Sequence, residues 1–210
     1  MCYFVANKTT ILVLPTMPKQ KVNEKYLIDQ AIRVFRRKGY NNTKMEDIAQ
    51  ACGLLKGSLY HYYSSKEALM VAVIEHMHKY YQKMGFLVRD DASLSGQQKL
   101  QAITKFAEEQ FFASESGCLF GNLALETFGN EAALSALVKL FFAEWRDTLT
   151  HIFAERYPLD EAQIIALDTI ADIEGAIMMM RIFDGDRSLL YRAHQRMLQK
   201  WEQIPCLQES

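Results

Sequence analysis

Between Thr43 and Lys66 the sequence TKMEDIAQACGLLKGSLYHYYSSK gathers residues suited to gripping nucleic acid. Lys56, Gly57 and Ser58 fall at the start of a short helix, where a long cation with small neighbours can approach base edges in a major groove. Tyr60, His61 and Lys66, with Thr43 on the other flank, add phenol, imidazole, ammonium and hydroxyl donors for phosphate oxygens. Such a helix must be braced by a second one. Ala49 supplies the small residue that lets two helices cross closely, and four residues on Gly53 supplies a backbone tolerant of positive φ. Ile48, Leu54, Leu59 and Tyr62 fall where they pin both helices to a common core. Two amphipathic helices with a glycine turn would alone be an ordinary αα-corner. Here the spacing coincides with a capping box at Thr43 and Glu46 and with a basic aromatic cluster on one short helix, so the segment reads as a DNA-binding helix-turn-helix.

The elements that position these groups have a helical period almost throughout. Asn23 is an N-cap for a helix whose Leu27, Ala31, Val34 and Phe35 line one face until Gly39. The second helix runs from Thr43 to Cys52-Gly53 with Met45, Ile48 and Ala49 inward, and the third covers about 56–62. Ser64-Ser65 caps a long fourth helix to about Leu87, with Leu69, Val73 and Met77 inside. Asp90 to Gly96 is a linker. A fifth helix is expected over about 97–113, a break over 114–117, and further helices over about 119–128, 130–156, 160–183 and 188–201. The expectation is an all-α chain of nine helices in two domains: a flexible arm over 1–20, a helix-turn-helix domain over 21–68, and a ligand-binding and dimerisation body over 69–210. Met17 is an alternative starting residue.

Composition supports this. Ten Gly and four Pro among 210 residues leave little turn chemistry for an all-β fold, and 50% hydrophobic content can fill a sizeable core. The net charge is −1, but residues 1–70 carry eleven Lys and Arg against five Asp and Glu, whereas 71–210 carry thirteen against twenty. A basic front on an acidic remainder suits a nucleic-acid module joined to something else, and disfavours a protein that coats DNA non-specifically. Cys2, Cys52, Cys118 and Cys206 are far apart, with no metal-ligand spacing, so no metal or other cofactor is expected and a reducing cytoplasm fits. The apolar run Ile11–Leu14 is too short to span a bilayer, and no membrane association is expected.

Residues 24–70, with AIRVFRRKGYNNTKMEDIAQACGLLKGSLYHYYSSKEAL within them, resemble the DNA-binding domain of the tetracycline-repressor (TetR) family. The match runs through Gly39-Tyr40, Thr43, Ile48-Ala49, Gly53, Lys56 to Tyr63 and Ser65 to Leu69. The resemblance implies a homodimeric, ligand-responsive transcriptional regulator, usually a repressor. One departure stands out: Leu55 occupies the position where the family usually has Ser or Thr capping the recognition helix. Loss of that cap costs on the order of 1 kcal/mol and removes a phosphate-binding hydroxyl. A TetR-like activator is the alternative reading.

The body must bury a ligand, a dimer seam or both. The helix over about 161–183 is apolar nearly all round, through Ile164, Leu167, Ile170, Ile173, Ile177 and Met178 to Met180, so it is covered on two sides. A second copy is the simplest cover, packed with the last helix over about 188–202; the resemblance implies the same seam. A two-fold pair then reads two half-sites of a near-palindromic operator. Phe111, Phe120, Trp145 and Met178 are candidate lining for a small, largely hydrophobic effector, with Glu126, Glu174 and Arg181 as polar anchors. Plain core and solvated or structurally paired charges are the competing readings. Cys118, just before a helix, is a candidate sensor because a helix N-terminus favours the thiolate; the competing reading is a small hydrophobe at a junction. The segment GCLFGNLALE resembles a TetR subgroup in which several members respond to electrophiles or oxidants through this cysteine. Cys52 reads as packing. A helical-bundle enzyme is the different-class alternative. Asp168, Asp172 and Glu174 offer carboxylates, but no Glu-x-x-His motif, phosphate loop or nucleophile elbow accompanies them, and no catalytic residue is assigned.

Overall fold

The computed structural model describes residues 23–112 and 117–203. The expected arm over 1–20, Met17 with it, and most of the break over 114–117 lie outside the described residues. Among those described there are nine α-helices and no strand: α1 (Glu24–Lys38), α2 (Met45–Ala51), α3 (Lys56–Tyr60), α4 (Lys66–Met84), α5 (Gly96–Phe112), α6 (Leu119–Thr127), α7 (Ala132–Phe153), α8 (Leu159–Ile182) and α9 (Ser188–Glu202). A single 3-10 turn, Phe86–Asp90, follows α4. None of these helices is long and apolar enough to cross a membrane.

Local chemistry fixes several ends. The Asn23 side chain accepts from the Lys25 N–H at 2.9 Å and starts α1; Ser65 Oγ accepts from the Ala68 N–H at 3.0 Å and starts α4. Gly39, at φ 78, ends α1, and Gly53, at φ 68, makes the turn into α3.

Other ends depart from the sequence expectation. Thr43 does not cap α2: its hydroxyl donates to the Gly39 carbonyl at 2.6 Å, closing the turn inward. Lys44 is the capping residue, and Asp47 rather than Glu46 returns a carboxylate to its N–H at 2.9 Å. α4 stops at Met84 because Gly85 admits the Phe106 ring, whose nearest carbon lies 2.9 Å from where a Cβ would stand. α7 begins two residues after Asn130, with Glu131 at the cap. α8 begins straight after Pro158, leaving Asp160 in the first turn, where its charge suits the helix field.

α1, α2 and α3 form the N-terminal unit around Leu27, Val34, Phe35, Ile48 and Leu59. Full burial of a side chain such as Phe35 stabilises by about 1.5–3 kcal/mol. α4 packs on α1 with one side and α7 with the other, so it is the mechanical link to the body. Its buried residues accordingly cover a broad arc, with Met70, Ile74, His78 and Tyr81 beside Leu69, Val73 and Met77. Within the body, α8 lies between α7 and α9 and α6 leans on α7.

Candidate functional site

The sequence-derived interface residues occupy one end of the N-terminal unit. Ile48 and Leu59 are buried and Leu54 half-buried, so α2 and α3 share a core as expected. Tyr62 does not join it. It is 38% exposed, and the neighbouring Tyr63 packs instead, donating its hydroxyl to Glu24 at 2.9 Å. Both rings lie past the end of α3 at Tyr60, so the helical period no longer sets which of them points inward. Tyr62 is thereby an exposed aromatic donor beside Tyr60 that the spacing did not assign to the surface.

At the tip of α3, Leu55 is 80% exposed and its side chain caps nothing. Lys56, Gly57, Tyr60 and His61 are exposed and Ser58 is half-buried. Lys56 pairs with Glu46 of α2, which holds that carboxyl below its usual range. This ammonium must exchange one anion for another to meet a phosphate.

Two flanking candidates have other duties. Thr43 is 2% exposed with its hydroxyl committed to Gly39, so it offers no donor to a phosphate, and the sequence expectation is corrected at this residue. Lys66 donates to the Tyr40 carbonyl at 2.8 Å and lies 4.3 Å from the centre of the Tyr40 ring. Its position at the start of α4 is therefore fixed by the α1–α2 turn.

That turn is also held from the body. Glu126, near the end of α6, accepts from the Tyr40 N–H at 3.1 Å and the Asn41 N–H at 2.7 Å. A Cβ on Gly39 would stand 2.8 Å from its Oε1, so glycine is required here twice, for φ and for space. Glu126 is thus a clasp between body and N-terminal unit and not an anchor inside a cavity.

The body candidates form two adjoining sets that meet at Cys118. Phe111, Cys118 and Trp145 line a small apolar cavity of about 20 Å³ together with Tyr81, Phe106 and Phe141. Phe120 stacks on Phe141 at 3.7 Å with planes 4° apart, so it packs behind this cavity. Cys118, Glu174, Met178 and Arg181 line an open cleft of about 550 Å³ between α6 and α8. Met178 is 55% exposed at its rim, and Arg181 donates to Asn122 at 3.3 Å across it.

Glu174 is the chemically unusual member. Its Oε1 is buried with no hydrogen-bond partner among the described residues. Burial pushes its carboxyl up to about 7, with the Cys118 thiol pulling the other way. Gly121 makes the approach possible, because a Cβ there would lie 2.5 Å from Glu174 Oε2.

Cys118 is the capping residue of α6, and its sulfur accepts from the Gly121 N–H at 3.4 Å. The expectation that this position favours a thiolate is overturned: burial, and then the Glu174 charge, push the thiol well up, against a smaller pull from the Gly121 N–H. Cys52 is buried and its thiol is raised by burial, in keeping with packing.

On α8 the buried face comprises Ala162, Ala166, Ile170, Ile173 and Ile177 among others. Ile164, Leu167 and Met178 on the opposite side are exposed. α9 turns Leu190, Ala193, Met197 and Trp201 into this chain's own core and exposes Tyr191.

Comparison with known proteins agrees with both halves. Residues 27–73 match the family described as bacterial regulatory proteins, tetR family, and residues 97–203 match the C-terminal domain of LmrA/YxaF-like transcriptional regulators. The HTH-type transcriptional repressor DhaR of Mycobacterium sp. is 26% identical over 163 residues, 75% of this chain and 81% of that protein. The uncharacterized HTH-type regulator YuxN of Bacillus subtilis is 41% identical over 63 residues, 30% of this chain but 21% of that protein. The crystal structure of a TetR transcriptional regulator from Legionella pneumophila superposes with a TM-score of 0.78 at 24% identity, covering 84% of this chain and 96% of that one. This last likeness is one of fold.

Proposed function

The chain belongs to the tetR family of bacterial regulatory proteins, helix-turn-helix transcriptional regulators, and on that premise we propose a homodimeric repressor of a near-palindromic operator, released by a small, mostly apolar effector. The observation that carries the DNA half is the exposed tip of α3, where Leu55, Lys56, Gly57 and Tyr60 project from a helix locked by buried Ile48 and Leu59. Lys56, Tyr60, His61 and exposed Tyr62 supply phosphate and base-edge donors, and Leu55 supplies an apolar contact suited to a thymine methyl. The functional division falls at about residue 68, with α4 as the hinge between reading head and body. Repression accords with the name of the relative DhaR.

The dimer reading rests on Ile164, Leu167 and Met178 of α8 with Tyr191 of α9, apolar side chains that this chain leaves uncovered. A second copy on this face sets two α3 helices about one DNA turn apart.

The effector reading rests on Glu174. An unpartnered oxygen in apolar surroundings costs free energy until a donor meets it. The ligand is a mostly hydrophobic molecule lying in the α6–α8 cleft and donating one hydrogen bond to Glu174, with Met178 and Arg181 at the rim. Noncovalent binding is favoured over electrophile capture, because the Cys118 thiol is held protonated. Occupancy shifts α6 and α4 and with them the spacing of the reading heads, which requires the effector to favour the released state by a few kcal/mol.

The test is selection of genomic DNA fragments on the full chain at low salt, followed by footprinting. The expected result is one enriched near-palindromic site, with Lys56→Ala and Tyr60→Ala each weakening it by roughly tenfold. Enrichment of no site, or binding unaffected by both variants, removes the reading.

A further inference from the structure

On the flank where α1 crosses the second half of α4, away from the α6–α8 cleft, lies a groove of about 550 Å³ with an unusual charge. Lys25 and Arg36 enter it from α1, and His76, Lys79 and Lys83 from α4; Asp29 is the one carboxylate among its lining residues. The eight ion pairs among the described residues involve other groups, so Lys25, Arg36, Lys79 and Lys83 share the groove unpaired, with Asp29 as its single acidic residue. Arg36 is the most constrained of them. Its Nε is buried and has no hydrogen-bond partner among the described residues. A buried guanidinium N–H left unpaired is costly, and four cations round one concavity repel each other.

We infer that this groove is a second effector site, which takes a small organic polyanion bearing phosphoryl or several carboxylate groups and so braces α1 against α4. Arg36 offers a planar, multidentate donor at the floor, and the exposed Lys79 and Lys83 close over the ligand as flexible point charges. At the far rim Gln110 of α5 donates to the Tyr80 hydroxyl at 3.2 Å, lending the groove a neutral polar edge. The α4 side of the groove stands off the operator-reading tip. His76 to Lys83 lie ten to seventeen residues beyond Lys66 on α4, roughly 15–25 Å along the axis at about 1.5 Å per residue, on the side leading away from α3.

The test is calorimetric titration of the full chain at constant ionic strength with two probes, pyrophosphate and citrate. Saturable binding of either, at one site per chain, is expected, and which of the two binds more tightly assigns phosphoryl or carboxylate chemistry. Lys79→Glu with Lys83→Glu, both exposed and therefore safe for folding, should weaken it at least tenfold, as should Arg36→Gln. Lys56→Ala on α3 should leave it unchanged. No saturable binding by either probe overturns the inference. So does binding that survives the double lysine variant, or that is lost equally in Lys56→Ala, since the anion would then be sitting on the DNA surface. A double lysine variant that weakens operator binding tenfold without added anion would make nucleic acid the occupant and overturn it as well.

Discussion

Glu174 is a carboxylic acid whose surroundings oppose its ionisation, and that has a measurable sign. Its ordinary value of 4.5 is pushed up to about 7 by burial, so folding is penalised as pH rises through that interval and not below it. Glu174→Gln should therefore match the parent in urea unfolding at pH 4.5 and exceed it at pH 8 by on the order of 3 kcal/mol. An equal difference at both pH values would mean that packing, and not ionisation, separates them. Glu174→Ala, which removes both acceptor oxygens, should become unresponsive to the effector while still binding DNA. Cys118 beside it makes the complementary case. Its thiol, raised by burial and by Glu174, should be alkylated by N-ethylmaleimide at least about tenfold more slowly in the native protein than in urea, read by peptide mass mapping. Leu55 belongs to this scale too. Leu55→Ser restores a hydroxyl to the start of α3 and should add up to about 1 kcal/mol of stability, while changing which bases the selected site contains.

Between elements, the clasp from α6 to the α1–α2 turn is the joint most exposed to a single substitution. Glu126→Ala strips two backbone N–H groups of a charged acceptor, and hydrogen exchange at Tyr40 and Asn41 should accelerate by at least tenfold. Protection unchanged at both amides would show that the turn holds itself. This joint also marks the limit of what spacing reveals. Asn23 and Ser65 cap through atoms two or three residues away, so both starts were legible. The partners of Glu126 are 85 and 86 residues distant, and no local period encodes such a pairing. Thr43 failed for a related reason: a threonine three residues before an acid satisfies the pattern of a cap, yet an upstream carbonyl took the hydroxyl first. Aromatic residues at core spacing announced the body's interior, but whether Phe120 lines a cavity or stacks behind one depends on how α6 and α7 cross.

For the molecule as a whole, helix count and the fold were readable because nearly every helix has a glycine, proline or cap at its boundary and an apolar stripe between. Assembly is the next level. α8 spends one face on its own core and leaves Ile164 and Leu167 exposed on the other. Ile164→Asp with Leu167→Glu should give a monomer in sedimentation velocity and weaken operator binding by roughly 100-fold, because two linked half-sites become one. A double variant that stays dimeric would move the seam elsewhere.

α6 has Cys118 and Gly121 against Glu174 at one end and Glu126 against the reading head at the other. Recombination must therefore respect an exchangeable unit that is not continuous in the chain. A chimaera that grafts residues 23–66 onto another regulator's body leaves behind the carboxylate that holds its first turn. One that carries 118–127 along keeps the turn but imports half of the effector cleft. Because a one-residue insertion in α6 rotates its ends by about 100° relative to each other, such an insertion would keep either the Glu174 contact or the Glu126 clasp in register but not both.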